Sequence, residues 1–197
     1  MKDILAEYKR RMCDFKRKGL DMVRAREFVL DRAGFGPASV LEVGTGKGCT
    51  AAGLALRKVR FTTIDLDADA LKVARKHLKA MGLMRYVVFK KMDAEKLKFK
   101  DGAFDCVISV NFLHHARHPE KCIRQMCRVA ARKVVIADLN RRGAGIMSMV
   151  HSEEGGSHAK SLISAAAIKA VLIKAGMRVK KYRDSCQYLF VAEKERG

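Results

Sequence analysis

At 197 residues the chain is long enough for one domain of ordinary size with a core that needs no staples. Hydrophobic residues make up 49% and charged residues 31%, a soluble globular balance that excludes disorder, and no stretch approaches the roughly 20 apolar residues of a membrane span. Lysine and arginine number 41 against 21 acidic residues, a net charge of +20 that points to an anionic or polyanionic partner.

The excess is spread along the chain. Residues 57–100 carry thirteen basic and five acidic side chains, and residues 117–142 carry eight and two, so no single arm concentrates it. Met1-Lys2-Asp3-Ile4 carries no apolar signal core, which predicts a cytoplasmic protein. The six cysteines, Cys13, Cys49, Cys106, Cys122, Cys127 and Cys186, include no Cys-x-x-Cys pair. Reduced, buried thiols are expected, with neither a disulfide scaffold nor a metal.

In chain order, residues 3–18 place Ile4, Leu5, Tyr8, Met12 and Phe15 on one helical face. Residues 20–33 read as a second helix, stopped by Gly34 and Gly36. A strand follows at 39–43, then a glycine cluster and a helix through Arg57. A second strand, 60–64, ends at Asp65. Asp67 or Asp69 can cap the next helix, in which Ala70, Leu71, Ala74 and Leu78 share a face. Strands at 86–89 and 104–110 come next. Pro119 suits the first turn of a helix with Cys122, Ile123, Met126, Cys127 and Ala130 inward. A fifth strand covers 133–137. After a glycine-containing segment, 161–175 reads as helix, and the last two strands, 178–183 and 187–192, look closely paired.

Strands alternating with helices at this spacing mean βαβ units and a parallel sheet covered on both faces. Such sheets bind ligands beyond the carboxyl ends of their strands. Those ends here carry Gly44–Gly48, Asp65, Asp93, Asn111 and Asp138-Leu139-Asn140.

The first of these loops reads Glu42-Val43-Gly44-Thr45-Gly46-Lys47-Gly48. A phosphate-binding P-loop needs Gly-Lys-Ser/Thr, but Lys47 is followed by Gly48. The dinucleotide fingerprint needs a glycine where Cys49 stands. Glycines admit a ligand close to the main chain, and the acidic Glu42 suits an ammonium or sulfonium rather than a pyrophosphate. Asp65, about 20 residues on, is placed to accept from ribose hydroxyls, a feature shared with NAD-binding proteins.

The pattern Glu-x-Gly-x-Gly-x-Gly resembles the first motif of class I S-adenosylmethionine-dependent methyltransferases. Asp93-Ala94 after the third strand extends the likeness, as does Phe104-Asp105-Cys106-Val107-Ile108-Ser109-Val110-Asn111-Phe112-Leu113-His114-His115. Together with helix 119–131 they are similar to the methyltransferase type 11 group, which includes ubiquinone and menaquinone methyltransferases. The resemblance covers about residues 36–140. It implies an α/β, Rossmann-like, doubly wound fold: a mainly parallel seven-stranded sheet, helices on both faces, the last strand antiparallel. Residues 1–33 are expected as an N-terminal helical cap, and 34–197 as the core with a mobile cover at 139–160.

S-adenosylmethionine is the implied cofactor, held by Glu42, Gly44, Thr45, Gly46, Gly48, Asp65, Leu66, Asp93, Ala94 and Asn111. His114 and His115 are the candidate bases. Asp138, Asn140, His151 and His158 are candidate acceptor contacts, and Lys47 is a candidate contact for an anionic group. His114 and His118 are four apart but lack a third ligand nearby in sequence, so no metal is expected. The implied activity is in-line methyl transfer to a small-molecule acceptor, anionic or lipid-like. An RNA methyltransferase and a non-catalytic cofactor-binding interaction protein are the alternatives. The Asn/Asp-Pro-Pro-Tyr/Phe tetrapeptide of exocyclic-amine enzymes is absent, its place reading Ser109-Val110-Asn111-Phe112.

Overall fold

In the computed structural model, which describes residues 4–36, 38–153 and 163–194, β1 (Val40–Val43) is buried along its whole length. Parallel neighbours flank it on both edges, β2 (Phe61–Asp65) and β4 (Phe104–Val110). β3 (Val87–Lys91) pairs parallel outside β2, and β5 (Ala130–Leu139) pairs parallel outside β4. β7 (Gln187–Lys194) runs antiparallel to β5, and β6 (Met177–Arg183) runs antiparallel to β7 at the edge. The order is β3-β2-β1-β4-β5-β7-β6. The chain moves outward from β1 to β3, then returns to the far side of β1 for β4, so the strand order reverses between β1 and β4. That is where a doubly wound sheet opens a crevice.

Period-two alternation distributes the strand side chains between two core layers. Val40, Cys106 and Ile108 join one, with Leu30 of α2 (Met22–Ala33), Leu54 of α3 (Cys49–Leu56) and Leu78 of α4 (Ala68–Ala80). Leu41, Val43 and Val107 join the other, with Ile123 and Met126 of α5 (Pro119–Val129) and Ile168 and Leu172 of α7 (Ala165–Lys174). Each such fully buried aliphatic side chain contributes roughly 1.5–3 kcal/mol against exposure.

The helix ends follow local chemistry. The Asp21 carboxylate accepts from the Arg24 amide at 3.0 Å, and Gly34 closes α2 in the left-handed conformation. Asp67 caps α4, accepting from the Asp69 amide at 2.8 Å, while Pro119 occupies the first turn of α5. β5 starts three residues earlier than its apolar run, because α5 passes into it without a loop.

The glycine-containing stretch after β5 carries a helix that the apolar pattern does not announce, α6 (Arg141–Glu153). Its Ile146, Met147 and Val150 pack on Phe15 of α1 (Ile4–Arg17) and on Leu20 in a third, smaller core. Gly143 masks the helical signal for a packing reason: a Cβ there would lie 2.1 Å from the Cys186 carbonyl oxygen. The rest of the expected cover, 154–160, lies outside the described residues, as does His158. Four cysteines are buried as expected, but Cys13 is exposed and Cys49 half-buried, and all six are free thiols. Among the described residues no helix is long and apolar enough to cross a membrane.

Candidate functional site

The carboxyl ends of β1, β2, β3 and β4 deliver a glycine loop, two carboxylates and an asparagine to the crevice at the strand-order reversal. The loop after β1 is pinned from beneath: the Gly44 and Thr45 amides both donate to the Ile64 carbonyl at 3.0 Å. Gly44, Gly46 and Gly48 all have positive φ, which L side chains adopt only with strain. Each also has its own surroundings. A Cβ at Gly44 would sit 2.6 Å from the Phe112 side chain, and one at Gly48 2.9 Å from Ala74 Cβ, whereas one at Gly46 would meet nothing within 4 Å. Gly48 is therefore a packing glycine against α4, and Gly46 faces open space.

Glu42 is 1% exposed. Its Oε2 accepts from Thr63 Oγ1 at 2.5 Å, and Thr63 in turn bonds Thr45 Oγ1 at 2.6 Å. Its Oε1 is buried with no hydrogen-bond partner. Burial pushes the Glu42 carboxyl up to about 8, with the Thr63 hydroxyl and the Arg26 charge pulling the other way. Asp65 ends β2. It accepts from the Gly46 amide at 2.8 Å and from the Asp67 amide at 3.0 Å, which fixes its carboxylate at the loop. Leu66 beside it is 63% exposed. Asp93 is held by the Glu95 amide at 2.8 Å, with Ala94 buried behind it. Asn111 follows β4 with φ 53. Its amide donates to the Ala137 carbonyl at 2.8 Å, and its side-chain Oδ1 is buried without a partner.

A cavity of about 230 Å³ opens on the loop. Of the residues expected to bind, Gly44, Thr45, Gly46, Asn111, His115 and His151 line it, as does Lys47. Glu42, Gly48, Asp65, Leu66, Asp93, Ala94 and His114 stand outside that lining. Sequence reasoning missed much of the remaining wall, including Arg11, Met12 and Phe15 from α1, Arg26 from α2, Met147 from α6 and Gln187 from β7. Arg11 Nη2 of α1 lies 2.8 Å from His151 Nε2 of α6 on the cavity wall, and Lys18 Nζ, just past the end of α1, lies 2.5 Å from Glu153 Oε1.

The two histidines after β4 differ. His114 is 4% exposed, its Nδ1 2.5 Å from Asp138 Oδ1 and its amide 3.2 Å from Oδ2. The rings of His114 and His115 are 4.1 Å apart. His115 lines both the small cavity and a larger cleft of about 850 Å³ between α5 and α7, which His114 also borders. Asp138 and Asn140 turn inward. Asp138 is 3% exposed and bonded to His114 and to the Leu139 amide. Asn140 caps α6, accepting from the Gly143 amide at 3.0 Å and donating to the Ser185 carbonyl at 3.0 Å. Neither lines the cavity, because each is committed to holding the loop after β5.

Residues 41–137 match the family model described as a methyltransferase domain. The norajmaline N-methyltransferase of Rauvolfia serpentina is 38% identical over 96 residues, 48% of this chain and 33% of that one. The phosphatidylethanolamine N-methyltransferase of Cereibacter sphaeroides is 34% identical over 113 residues, 56% of this chain and 55% of that one. The chain thus spans from a third to about half the length of these relatives. A crystal structure of a SAM-dependent methyltransferase from Aquifex aeolicus superposes with a TM-score of 0.67 at 22% identity, covering 85% of this chain and 88% of that one, which establishes the shared fold.

Proposed function

Residues 41–137 belong to the class I, S-adenosylmethionine-dependent methyltransferase family, and from that premise we propose that the protein moves a methyl group to a small-molecule acceptor held beneath the α1–α6 cap. S-adenosylmethionine is the cofactor of this family, and the residues present fit it. Buried polar atoms in native proteins are nearly always partnered, yet Glu42 Oε1 and Asn111 Oδ1 are not; Asn111 lines the cavity, Glu42 is tied to its wall through Thr63 and Thr45, and Gly46 has open space before it. That coincidence carries the reading.

Glu42 would hold the ammonium group, Asp65 the ribose hydroxyls and Asp93 the adenine amino group. The bare main chain of Gly44–Gly46 allows close approach. When bound, the cofactor supplies a methyl group made electrophilic by a sulfonium, a charge that disappears as the methyl leaves. The chain's own contribution is chiefly alignment, and holding two reactants in line is worth roughly 7–11 kcal/mol of barrier. The cap residues Met12, Phe15 and Met147 exclude water from the space where acceptor and methyl meet.

An acceptor whose nucleophile carries a proton also needs a base. His115 is the ring on the cavity wall, and His114 braces it. Asp138 Oδ1 accepts from Nδ1–H of His114, which fixes the orientation of that ring. Titration with S-adenosylhomocysteine by calorimetry tests the binding half of the proposal. Wild type should bind, and Asp65→Ala should lose about 10–100-fold in affinity, the worth of one or two hydrogen bonds to a charged group. Absence of binding heat in wild type, seconded by a thermal-shift assay, would falsify it.

One observation favours a second reading, RNA as acceptor. The α5–α7 cleft that His115 borders is also lined by Arg117, Lys121 and Arg124, and Lys174 and Lys194 lie in the adjoining depression. RNA binding whose logarithm falls linearly with the logarithm of salt concentration supports that reading; salt-insensitive absence of binding removes it.

A further inference from the structure

Glu42 belongs to the crevice yet stands behind its wall, since the glycine loop and not the carboxylate lines the cavity. Two hydroxyls bridge the gap. Thr63, fully buried, lies 2.5 Å from Glu42 Oε2, and Thr45, which lines the cavity, lies 2.6 Å from Thr63. Thr63 faces Glu42 because the two are register partners of β1 and β2. Thr45 reaches Thr63 because its own amide and that of Gly44 both hang from the Ile64 carbonyl, one residue further along β2. Of the carboxylate oxygens, Oε2 is thus engaged and Oε1 is left bare.

A threonine hydroxyl has one proton to give, so this chain runs in one of two directions. With the carboxylate ionised, Thr63 gives its proton to Oε2 and must accept from Thr45, so both hydroxyls point toward the charge and reinforce one another. With the carboxyl protonated, a proton on Oε1 would meet no acceptor, whereas one on Oε2 meets Thr63. Thr63 serves both forms, but its bond to the ionised one is charge-assisted and stronger. Removing the hydroxyl therefore penalises the ionised form more.

Resting on the methyl-transfer reading above, we propose that Thr63 is a positioning residue for the cofactor's ammonium: it holds Glu42 by Oε2, leaves Oε1 as the acceptor for the ammonium, and supplies the donor that favours the ionised carboxylate. Three other groups act on the same carboxyl. Arg26 of α2 and the Ala51 amide of α3 favour ionisation, and Asp65 at the end of β2 opposes it, as burial does most strongly of all. Thr63→Val leaves those three in place and keeps the branched shape that the strand packs, so it isolates the hydroxyl.

The test is calorimetric affinity for S-adenosylhomocysteine from pH 6 to 9 in wild type, Thr63→Val and Thr63→Ser, and in Glu42→Gln with and without Thr63→Val. In wild type the affinity should rise with pH and level near 8. Thr63→Val should move the levelling point up by about one pH unit, the difference between a charge-assisted and a neutral hydrogen bond. Its deficit should then be about tenfold at pH 7 and shrink to about twofold at pH 9. Thr63→Ser, which keeps the hydroxyl, should level near the wild-type point. In Glu42→Gln the profile should be flat with either residue at position 63, because the effect passes through the carboxylate. Thr63→Ala carries the same expectation if a thermal melt shows the valine variant unfolded. A levelling point unmoved in the valine or alanine variant, a deficit equal at every pH, an equal shift in Thr63→Ser, or a pH shift that survives in Glu42→Gln overturns the proposal while wild type still binds. Failure of wild type to bind S-adenosylhomocysteine at any pH overturns the reading beneath it.

Discussion

Thr63 Oγ1 donates to Glu42 Oε2 at 2.5 Å between two residues that are register partners of the β1–β2 pair. The bond satisfies one carboxylate oxygen and leaves the other buried and bare. The folded protein therefore holds the Glu42 proton more tightly than the unfolded chain does, with the carboxyl raised from 4.5 to about 8. Between those two values the folded state binds more protons, so the Glu42 contribution to stability falls as pH rises and is level above about 8. Glu42→Gln removes the titration. Denaturant melts from pH 5 to about 9 should show the stability of wild type relative to Glu42→Gln declining by a few kcal/mol. A constant difference would contradict the assignment.

The same group couples binding to pH. An ammonium delivered to Oε1 favours the ionised carboxylate, so binding expels a proton wherever the free protein holds it, below about 8. Affinity for S-adenosylhomocysteine should then rise with pH, by up to about tenfold per unit, and flatten near 8. Calorimetry in buffers of different ionisation enthalpy should report proton release at pH 7. Glu42→Gln should bind more weakly and release none.

Gly46 separates binding from folding. A methyl group there meets no protein atom, so Gly46→Ala carries only the left-handed backbone penalty, about 1–2 kcal/mol. Gly44→Ala adds a collision with the Phe112 ring to the same penalty and should destabilise more. Both should lose S-adenosylhomocysteine binding. In Gly46→Ala the loss should be out of proportion to the small change in midpoint of a urea melt, because the added methyl stands where the ligand must come.

The two glycines of α6 make a second contrast. Gly143→Ala drives a methyl into the Cys186 carbonyl, whereas Gly145 faces nothing within 4 Å. The first should cost on the order of 3 kcal/mol or displace α6 from the turn between β6 and β7 that carries Cys186. The second should stabilise by about 0.5–1 kcal/mol through helix propensity alone. Urea denaturation of the two single variants checks both signs.

That contrast also explains what the sequence shows and hides. β4 is legible to the residue, since Phe104–Val110 is a bounded β-branched and aromatic run. α6 is not, because Gly143 and Gly145 read as loop while one of them serves close packing that exists only in the folded chain. The glycine loop, Asp65, Asp93 and Asn111 are legible because each lies at or just past the carboxyl end of a strand, and strand ends are where this architecture binds. Arg11, Arg26 and Gln187 are not, because α1, α2 and β7 meet at the cavity only through the fold. Asp138 and Asn140 carry the right signal of polar residues at a strand end, but one is consumed by His114 and the other by the cap of α6.

His114 and Asp138 are brought together because β4 and β5 are parallel neighbours whose carboxyl ends stop side by side. The carboxylate accepts from Nδ1, from the His114 amide and from the Leu139 amide, and these bonds fix the ring. Nitrogen NMR should show His114 as the tautomer protonated at Nδ1 at neutral pH. Asp138→Asn offers an amide in place of the acceptor and should shift the proton toward Nε2 in part of the population. If His114 only orders the loop, that substitution alters stability by about 1–3 kcal/mol and leaves the pH profile of turnover unchanged. If the pair supports proton removal by His115, kcat falls while KM for the acceptor holds, and the acidic limb of the profile moves. Chemical rescue of His115→Ala by added imidazole separates the two outcomes, since an external base can replace a lost proton acceptor but not a lost packing contact.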